Sequence, residues 1–420
     1  MTPSSASSRK WLSLAVIALL AMLAYAPTLS IPLLEDDYGN IGFSIGHGSA
    51  AALPSLLADT VFRVRATSSW FLFELWQMFG LAPVPIHIAC LLLHVANCWL
   101  IYTFMSARPR IAFLAAAFFA VQEGHQEAVM WASACNELLM FLFGSGSLIL
   151  WLRAERRFAW EAGSVALFAL ALVSKESTPI WLPLFLLAGT AEWRRNVLRL
   201  VPHAVLAAAS VALIFATRSY SFRFSDGSFS LYAPLWLTWT RSFARLMWPW
   251  GWLALAALAW TRDRKAWQTA IAALEWIGIA LMPYSFLTYS TQIPSRQTYV
   301  ASAGLALLIA MALGTLERSS IEHRRLAAAA AAAMLLVNVG YLWTRKRAQF
   351  LQRAEPTEQL IRLARETRRP IYVRCFPRNR FIAEEAVRIG AGRPAGTVVW
   401  TAQEAAERGA TATFCYREPR

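Results

Sequence analysis

The stretch WLSLAVIALLAMLAYAPTLSIPLLEDDY, from Trp11 to Tyr38, decides the fold class. Trp11 to Leu34 carries no charged residue, and about 20 such residues are enough to cross the hydrocarbon core of a bilayer as a helix. No small-residue cleavage site follows it, so it reads as a retained first helix rather than a signal peptide. Glu35, Asp36 and Asp37 come immediately after. Three carboxylates where a helix leaves the bilayer are costly unless something uses them, which makes them functional candidates. The plainer reading is a solvated loop end.

The rest of the chain repeats the first part of this pattern. It has 420 residues, 57% of them hydrophobic and only 15% charged, against about 25% charged in a soluble globular protein. Apolar segments recur near 12–33, 84–105, 110–122, 137–152, 158–174, 177–191, 197–217, 246–260, 267–287, 298–316 and 325–344. The expected fold is therefore an all-α polytopic membrane protein of about eleven transmembrane helices over residues 1–344. The net charge of +15 does not imply nucleic acid, because the basic residues stand in short clusters between apolar runs; the implied partner is the bilayer. Clusters at Arg9/Lys10, Arg108/Arg110, Arg153/Arg157, Arg194/Arg195, Arg262/Arg264 and Arg318/Arg324 fall in every second loop. The positive-inside rule then puts the N-terminus in the cytoplasm and loops 35–69, 123–136, 175–176, 218–245 and 288–297 outside. With eleven spans the tail is outside too, although Arg345, Lys346 and Arg347 flank the last span on that side.

Residues 345–420 change character. Ile371–Phe376, Gly396–Trp400 and Thr411–Tyr416 read as short strands, with helices at Phe381–Ile389 and Ala402–Arg408 between them. That alternation suggests a small extracytoplasmic α/β domain with parallel strands. Cys375 and Cys415 fall in two of the strands. An oxidising compartment would permit a disulfide, and two buried thiols are the equal alternative. Cys90, Cys98 and Cys135 match no metal-site spacing.

Polar residues collect in the outer loops. Repulsion among Glu35, Asp36 and Asp37 raises at least one pKa, which suits a general base. Asp36 and Asp37 also offer hard oxygen ligands for a divalent cation such as Mg²⁺ or Mn²⁺. Glu35 reads as a neighbour that tunes them. His125 and Glu127 share a face only on a loop or strand, and otherwise read as a polar helix cap. Lys175 is the one lysine among the apolar spans; it is either a phosphate contact or a partner of Glu176. Arg65, Arg218, Arg223, Arg241, Arg245 and Arg296 add positive charge. Arg296 and Tyr299, three apart, would share a helix face and present cation and phenol to one oxyanion; the plain reading is an interface anchor pair. His87 and His94 read as packing residues. The tryptophans from Trp236 to Trp252 read as an interfacial belt, which with Arg241 and Arg245 could also hold a lipid phosphate.

Four stretches together resemble the GT-C superfamily of integral-membrane glycosyltransferases, especially the protein O-mannosyltransferase-like enzymes and the membrane part of the transmembrane TPR-containing O-mannosyltransferases. They are Glu35-Asp36-Asp37-Tyr38; Arg65-Ala66-Thr67-Ser68 through His87 to Asn97; Phe119 to Val129 continuing to Asn136-Glu137; and Ser174-Lys175-Glu176-Ser177, with an echo in Arg296-Gln297-Thr298-Tyr299. The resemblance covers residues 10–310 and not the tail. It departs from the family where Gln122-Glu123 replaces a common His-Pro pair, where no proline follows Arg65, and in having no TPR array. It implies transfer of a sugar from a polyprenyl-phosphate donor to a hydroxyl of a glycan, lipid or protein, on the periplasmic face of a bacterial inner membrane. Asp36 would be the base, Asp37 a supporting acid or cation ligand, and Arg65, His125, Glu127, Lys175, Arg296 and Tyr299 would bind donor phosphate or substrate. A transporter or flippase of a lipid-linked saccharide is the alternative, but the inverted repeats and mid-membrane helix breaks of that class are not evident. A non-catalytic scaffold is the third reading.

Overall fold

A computed structural model describes residues 3–417, except 60–61, 155–156, 190–191, 217–229, 231 and 289. Arg218 and Arg223 lie outside the described residues. Helix α1 (Pro3–Tyr25) is followed by α2 (Asp36–His47), α3 (Leu53–Ala58) and α4 (Ala66–Phe79). Next come α5 (Pro83–Phe104), α6 (Pro109–Val121), the short α7 (Gln126–Met130), α8 (Cys135–Arg153) and α9 (Phe158–Leu172). Then α10 (Trp181–Ala188), α11 (Trp193–Ala216), α12 (Leu235–Met247), α13 (Trp250–Thr261) and α14 (Arg264–Leu281) lead to α15 (Tyr299–Ser319) and α16 (Ile321–Tyr341).

All eleven apolar segments are helical. Among the described residues seven helical stretches are long and apolar enough to cross a membrane, or eight if the bent pair α2 and α3 is one span, and the shorter α6, α9, α10 and α13 account for the other four segments. The molecule is an integral membrane protein with large apolar side chains such as Leu198, Val205, Leu336 and Trp236 exposed on its outer faces.

Helix α15 is the central post, enclosed almost completely by its neighbours. Its alanines and glycines let those neighbours close in: a Cβ on Gly304 would meet the Ala273 carbonyl of α14 at 2.6 Å. Lipid supplies no hydrophobic drive for helix association, so such close backbone approach and buried polar contacts hold the bundle together. Ser164 donates to the Ser147 carbonyl at 2.9 Å and meets His203 Nε2 at 2.9 Å, joining α8, α9 and α11.

After α16 the helix continues through a π-helical turn, Leu342–Lys346, into α17 (Arg347–Glu366). The domain boundary expected after residue 344 thus falls inside one helical run. The α/β unit begins at β1 (Ile371–Cys375), continues with α18 (Arg380–Glu385), β2 (Val398–Val399) and α19 (Ala402–Glu407), and ends at β3 (Ala412–Cys415). The strands are parallel in the order β2-β1-β3, with a helix in each crossover, as parallel strands require. Cys375 and Cys415 form a disulfide.

This unit sits on α2. A Cβ on Gly39 would meet the Phe381 ring at 2.8 Å, and one on Gly42 would meet Glu385, Arg388 and Ile389 at 2.9 Å. The Tyr38 hydroxyl donates to Glu358 at 2.9 Å.

Gly144 of α8 has its backbone against the Trp181 indole, where a Cβ would overlap rigid ring atoms. Gly144→Ala should therefore cost about 1–3 kcal/mol, the usual penalty of overpacking. Gly146→Ala, which would meet only the flexible end of Leu167 at 3.2 Å, should be neutral or slightly stabilising. Thermal unfolding of the two variants in detergent compares them directly.

Candidate active site

The loops bearing the sequence's acids and bases meet at one end of the bundle. Thr67 Oγ1 donates to Ser174 Oγ at 2.7 Å, Asn40 Nδ2 to Ser133 Oγ at 2.9 Å, and Gln126 Nε2 to Ser295 Oγ at 3.1 Å. These bonds join the first outer loop to the second and third, and the second to the loop before α15.

The three adjacent acids have separate surroundings. Asp36 and Asp37 occupy the first turn of α2 rather than extended chain, and so diverge around the helix. Asp37 is fully buried. Its Oδ2 accepts from Leu34 N at 2.7 Å, and its Oδ1 from Ser133 N at 2.7 Å and Ser133 Oγ at 2.6 Å. Burial pushes its pKa up to about 7, against those hydrogen bonds, which hold it down. Glu35 is also buried and takes Arg353 at 2.9 Å and Arg378 at 2.7 Å. Burial raises its pKa, but the bonds and charges of Arg353 and Arg378 outweigh that and leave it below the ordinary 4.5. Asp36 is only partly buried and acts electrostatically on both Asp37 and Arg65.

A small polar cavity of about 10 Å³ is lined by Asn40, Ser44, Arg65, Ser68, Ser133 and Asn136, among others, and Asn40 stands one helical turn after Asp36. The buried Asn136 Oδ1 has no protein partner. Among Ile101, Phe141, Leu148, Trp181, Trp276 and Leu307 lies an apolar cavity of about 90 Å³.

Lys175, Arg65 and Arg296 each have a carboxylate beside them, whereas Arg245 reaches the Ile293 carbonyl at 3.4 Å. Lys175 pairs with Glu137 at 2.5 Å, with side chains only 3% and 1% exposed. Glu176 instead meets Arg65 at 3.4 Å, and Arg65 keeps 36% exposure. Burial raises the Glu176 pKa, and Arg65 and Lys175 more than reverse this, bringing it down to about 2. Glu127 takes Arg296 at 3.5 Å and Arg353 at 3.9 Å. The Trp131 ring lies 5.1 Å from the Arg296 guanidinium and 4.7 Å from that of Arg353.

His125 and Tyr299 are not brought to this surface. His125 Nε2 lies 2.6 Å from Ser302 Oγ, and the Tyr299 hydroxyl 2.7 Å from His94 Nδ1. All four side chains are enclosed in the bundle. Arg296 and Tyr299 do not present a joint surface, because Arg296 lies in a 3₁₀ turn before α15 and reaches Glu127, while Tyr299 turns inward. His87 and His94 are packing residues: His87 Nε2 lies 3.1 Å from the Ile31 carbonyl, and His94 Nε2 3.2 Å from that of Ala120.

A divalent cation held by Asp36 and Asp37 does not fit this donor set. Both Asp37 oxygens are already engaged by N–H and O–H donors, and among the described residues no three His, Cys, Asp or Glu side chains converge.

Sequence reasoning missed Arg353, Arg378 and Ser133. Arg353 and Arg378 sit in arginine-rich polar stretches where no single arginine stands out. Ser133 is an ordinary serine whose partner lies 96 residues away.

The fold and site define a polytopic helical membrane protein with a cluster of ion pairs and a small polar cavity at one end, beneath a small α/β unit. This is the GT-C fold. The structure is similar to ArnT from Cupriavidus metallidurans bound to undecaprenyl phosphate, at 16% identity over 97% of this chain and 90% of that one, with a TM-score of 0.50. The apo state of the same ArnT gives 16% identity over 96% and 88%, with a TM-score of 0.49. ArnT is a GT-C glycosyltransferase. No protein-family model and no curated protein sequence matches the chain.

Two predictions follow from the pairing. Lys175→Met strands Glu137 in the interior and should cost about 3–5 kcal/mol, whereas Lys175→Met with Glu137→Leu should recover most of it; thermal unfolding in detergent reads both. Glu35 has a lowered folded pKa, so its ion pairs stabilise fully above 4.5 and are lost as the pH falls below that. Wild type and Glu35→Gln should therefore differ in Tm at about pH 7, and the difference should shrink as the pH falls below 4.5.

Proposed function

We propose that this protein is a membrane glycosyltransferase that moves a sugar from a polyprenyl-phosphate donor to an acceptor hydroxyl, with Asp36 as general base. One observation carries the reading. Of the three adjacent acids, Glu35 and Asp37 are buried, whereas Asp36 is only partly buried, one helical turn before Asn40 of the polar cavity and within electrostatic reach of Arg65.

In this reading Asp36 takes the proton of the acceptor hydroxyl as its oxygen attacks the anomeric carbon. The bond from that carbon to the phosphate oxygen breaks on the opposite face, and the carrier leaves as its phosphate. The product has the inverted anomeric configuration. Developing charge on the leaving phosphate needs nearby cations. Arg65, at 36% exposure, and Arg296, at 27%, can turn towards it; Lys175 is sealed against Glu137 and would act through that pair. The undecaprenyl phosphate bound by ArnT supports a donor of this class.

The alternating basic loops orient the site end to the periplasm of a bacterial inner membrane, with the N-terminus in the cytoplasm. The Cys375–Cys415 bond suits that oxidising side. The mannosyl donor implied by the sequence resemblance is one candidate among several sugars.

The test is transfer by the purified protein in lipid nanodiscs, supplied with a panel of radiolabelled undecaprenyl-phosphate pentoses and hexoses, mannose included, and with envelope extracts as acceptors. Asp36→Asn should lower the transfer rate about 10²–10⁴-fold, the usual contribution of a positioned base. Full-rate transfer by Asp36→Asn would refute the assignment, as would a product that keeps the donor's anomeric configuration.

A further inference from the structure

Glu35 has a backbone φ of 34° and ψ of −103°. A residue with a side chain is strained in such a conformation and keeps it only where its surroundings over-determine it. Here the surroundings come from far along the chain. Arg353 Nε and Nη2 donate to the two Glu35 carboxylate oxygens at 3.3 and 2.9 Å, from 318 residues away. Arg378 Nε donates at 2.7 Å, from 343 residues away. Arg353 belongs to α17, and Arg378 to the connection between β1 and α18.

The strained residue is the one immediately before Asp36. On the other side of Asp36, Asp37 is fixed by the Leu34 and Ser133 backbone N–H groups and the Ser133 hydroxyl. The backbone at 36 is thus held from both flanks. One flank belongs to the helical bundle. The other belongs to the C-terminal region, which the sequence resemblance does not reach.

We propose that Arg353 and Arg378 are positioning residues: through Glu35 they hold the strained turn that aims Asp36 into the polar cavity, so the C-terminal unit completes the site. The inference rests on Asp36 being the base. It makes the tail part of the transferase rather than a separate appendage. It also gives Glu35 a mechanical role, where repulsion with its neighbours would have made it an electrostatic one.

The experiment uses the full-length protein in nanodiscs and has two readouts. The first is hydrogen exchange of the backbone amides from Leu34 to Tyr38, which needs no substrate. Arg353→Met with Arg378→Met should speed exchange there about tenfold or more, with α15 unchanged as the internal standard. The second is transfer from whichever undecaprenyl-phosphate sugar of the panel is active. The double variant should lose about tenfold or more in kcat, with KM for the donor within about twofold, because orientation and not binding is impaired. Arg378→Lys, which keeps the charge, should lie between. Glu35→Gly in the double-variant background should restore part of kcat, since glycine adopts this φ without restraint.

Unchanged exchange and unchanged kcat in the double variant would overturn the proposal. So would faster exchange at full kcat, because the turn would then be held without aiming the base. A double variant that does not fold is replaced by the single Arg378→Met, read in the same two ways. Full-rate transfer by Asp36→Asn would instead overturn the assignment of the base, and exchange would still decide whether the two arginines hold the turn.

Discussion

Everything at the site end depends on how buried carboxylates are neutralised. Glu35, Glu127, Glu137 and Glu176 all lose water to the fold, and each meets at least one cation. Removing water from an ion is expensive, and a lone buried charge would cost several kcal/mol. The pairs interlock: Arg353 serves both Glu35 and Glu127, and Glu127 serves both Arg353 and Arg296. One such chain joins the turn before α2, α7, the approach to α15 and the C-terminal helix α17. It fixes the relative position of these four segments.

This pairing constrains how a phosphate could be received. A leaving phosphate cannot draw on Lys175 without unpairing Glu137 in a region that water hardly reaches. At Arg65 the exchange is cheaper, because its contact with Glu176 is long and the guanidinium is partly exposed. The depressed pKa of Glu176 keeps that carboxylate charged, so an incoming phosphate would have to share Arg65 with it. Charge at the site is therefore preorganised, which is the condition under which electrostatic stabilisation of a leaving group is most effective.

The fold was legible to the extent that it follows from hydropathy and loop charge. All eleven apolar segments are helical, and the tail's strands and helices fall where composition changes, because burial and period act locally. The acidic triplet was legible as a place but not as three roles. The separation of Glu35, Asp36 and Asp37 is set by Arg353, Arg378 and Ser133, which are distant in the chain and of common types. Arg296 and Tyr299 illustrate the opposite error. Helical spacing put them on one face, but the chain enters α15 through a 3₁₀ turn, and a turn of different pitch sends the two side chains apart. Lys175 and Glu176 erred through adjacency: each found its partner across the bundle instead of in its neighbour.

The way Arg378 reaches the acidic turn explains why a small α/β unit is built where a flexible tail would have been simpler. Helix α16 runs on through its π-turn into α17 without a loop, so the bundle's last helix carries Arg353 rigidly beside Glu35. Arg378 follows β1 by only three residues. Its strand is flanked by two parallel partners and is linked to one of them by the Cys375–Cys415 disulfide at the end nearest Arg378. Pro377 removes a degree of freedom from the intervening connection. An arginine on a disordered tail would lose about 1–2 kcal/mol of backbone entropy for each residue ordered on reaching Glu35, which is comparable to the strain it would have to offset. Delivered from a folded unit already seated on α2, the same guanidinium meets Glu35 with that entropy lost in folding the unit itself.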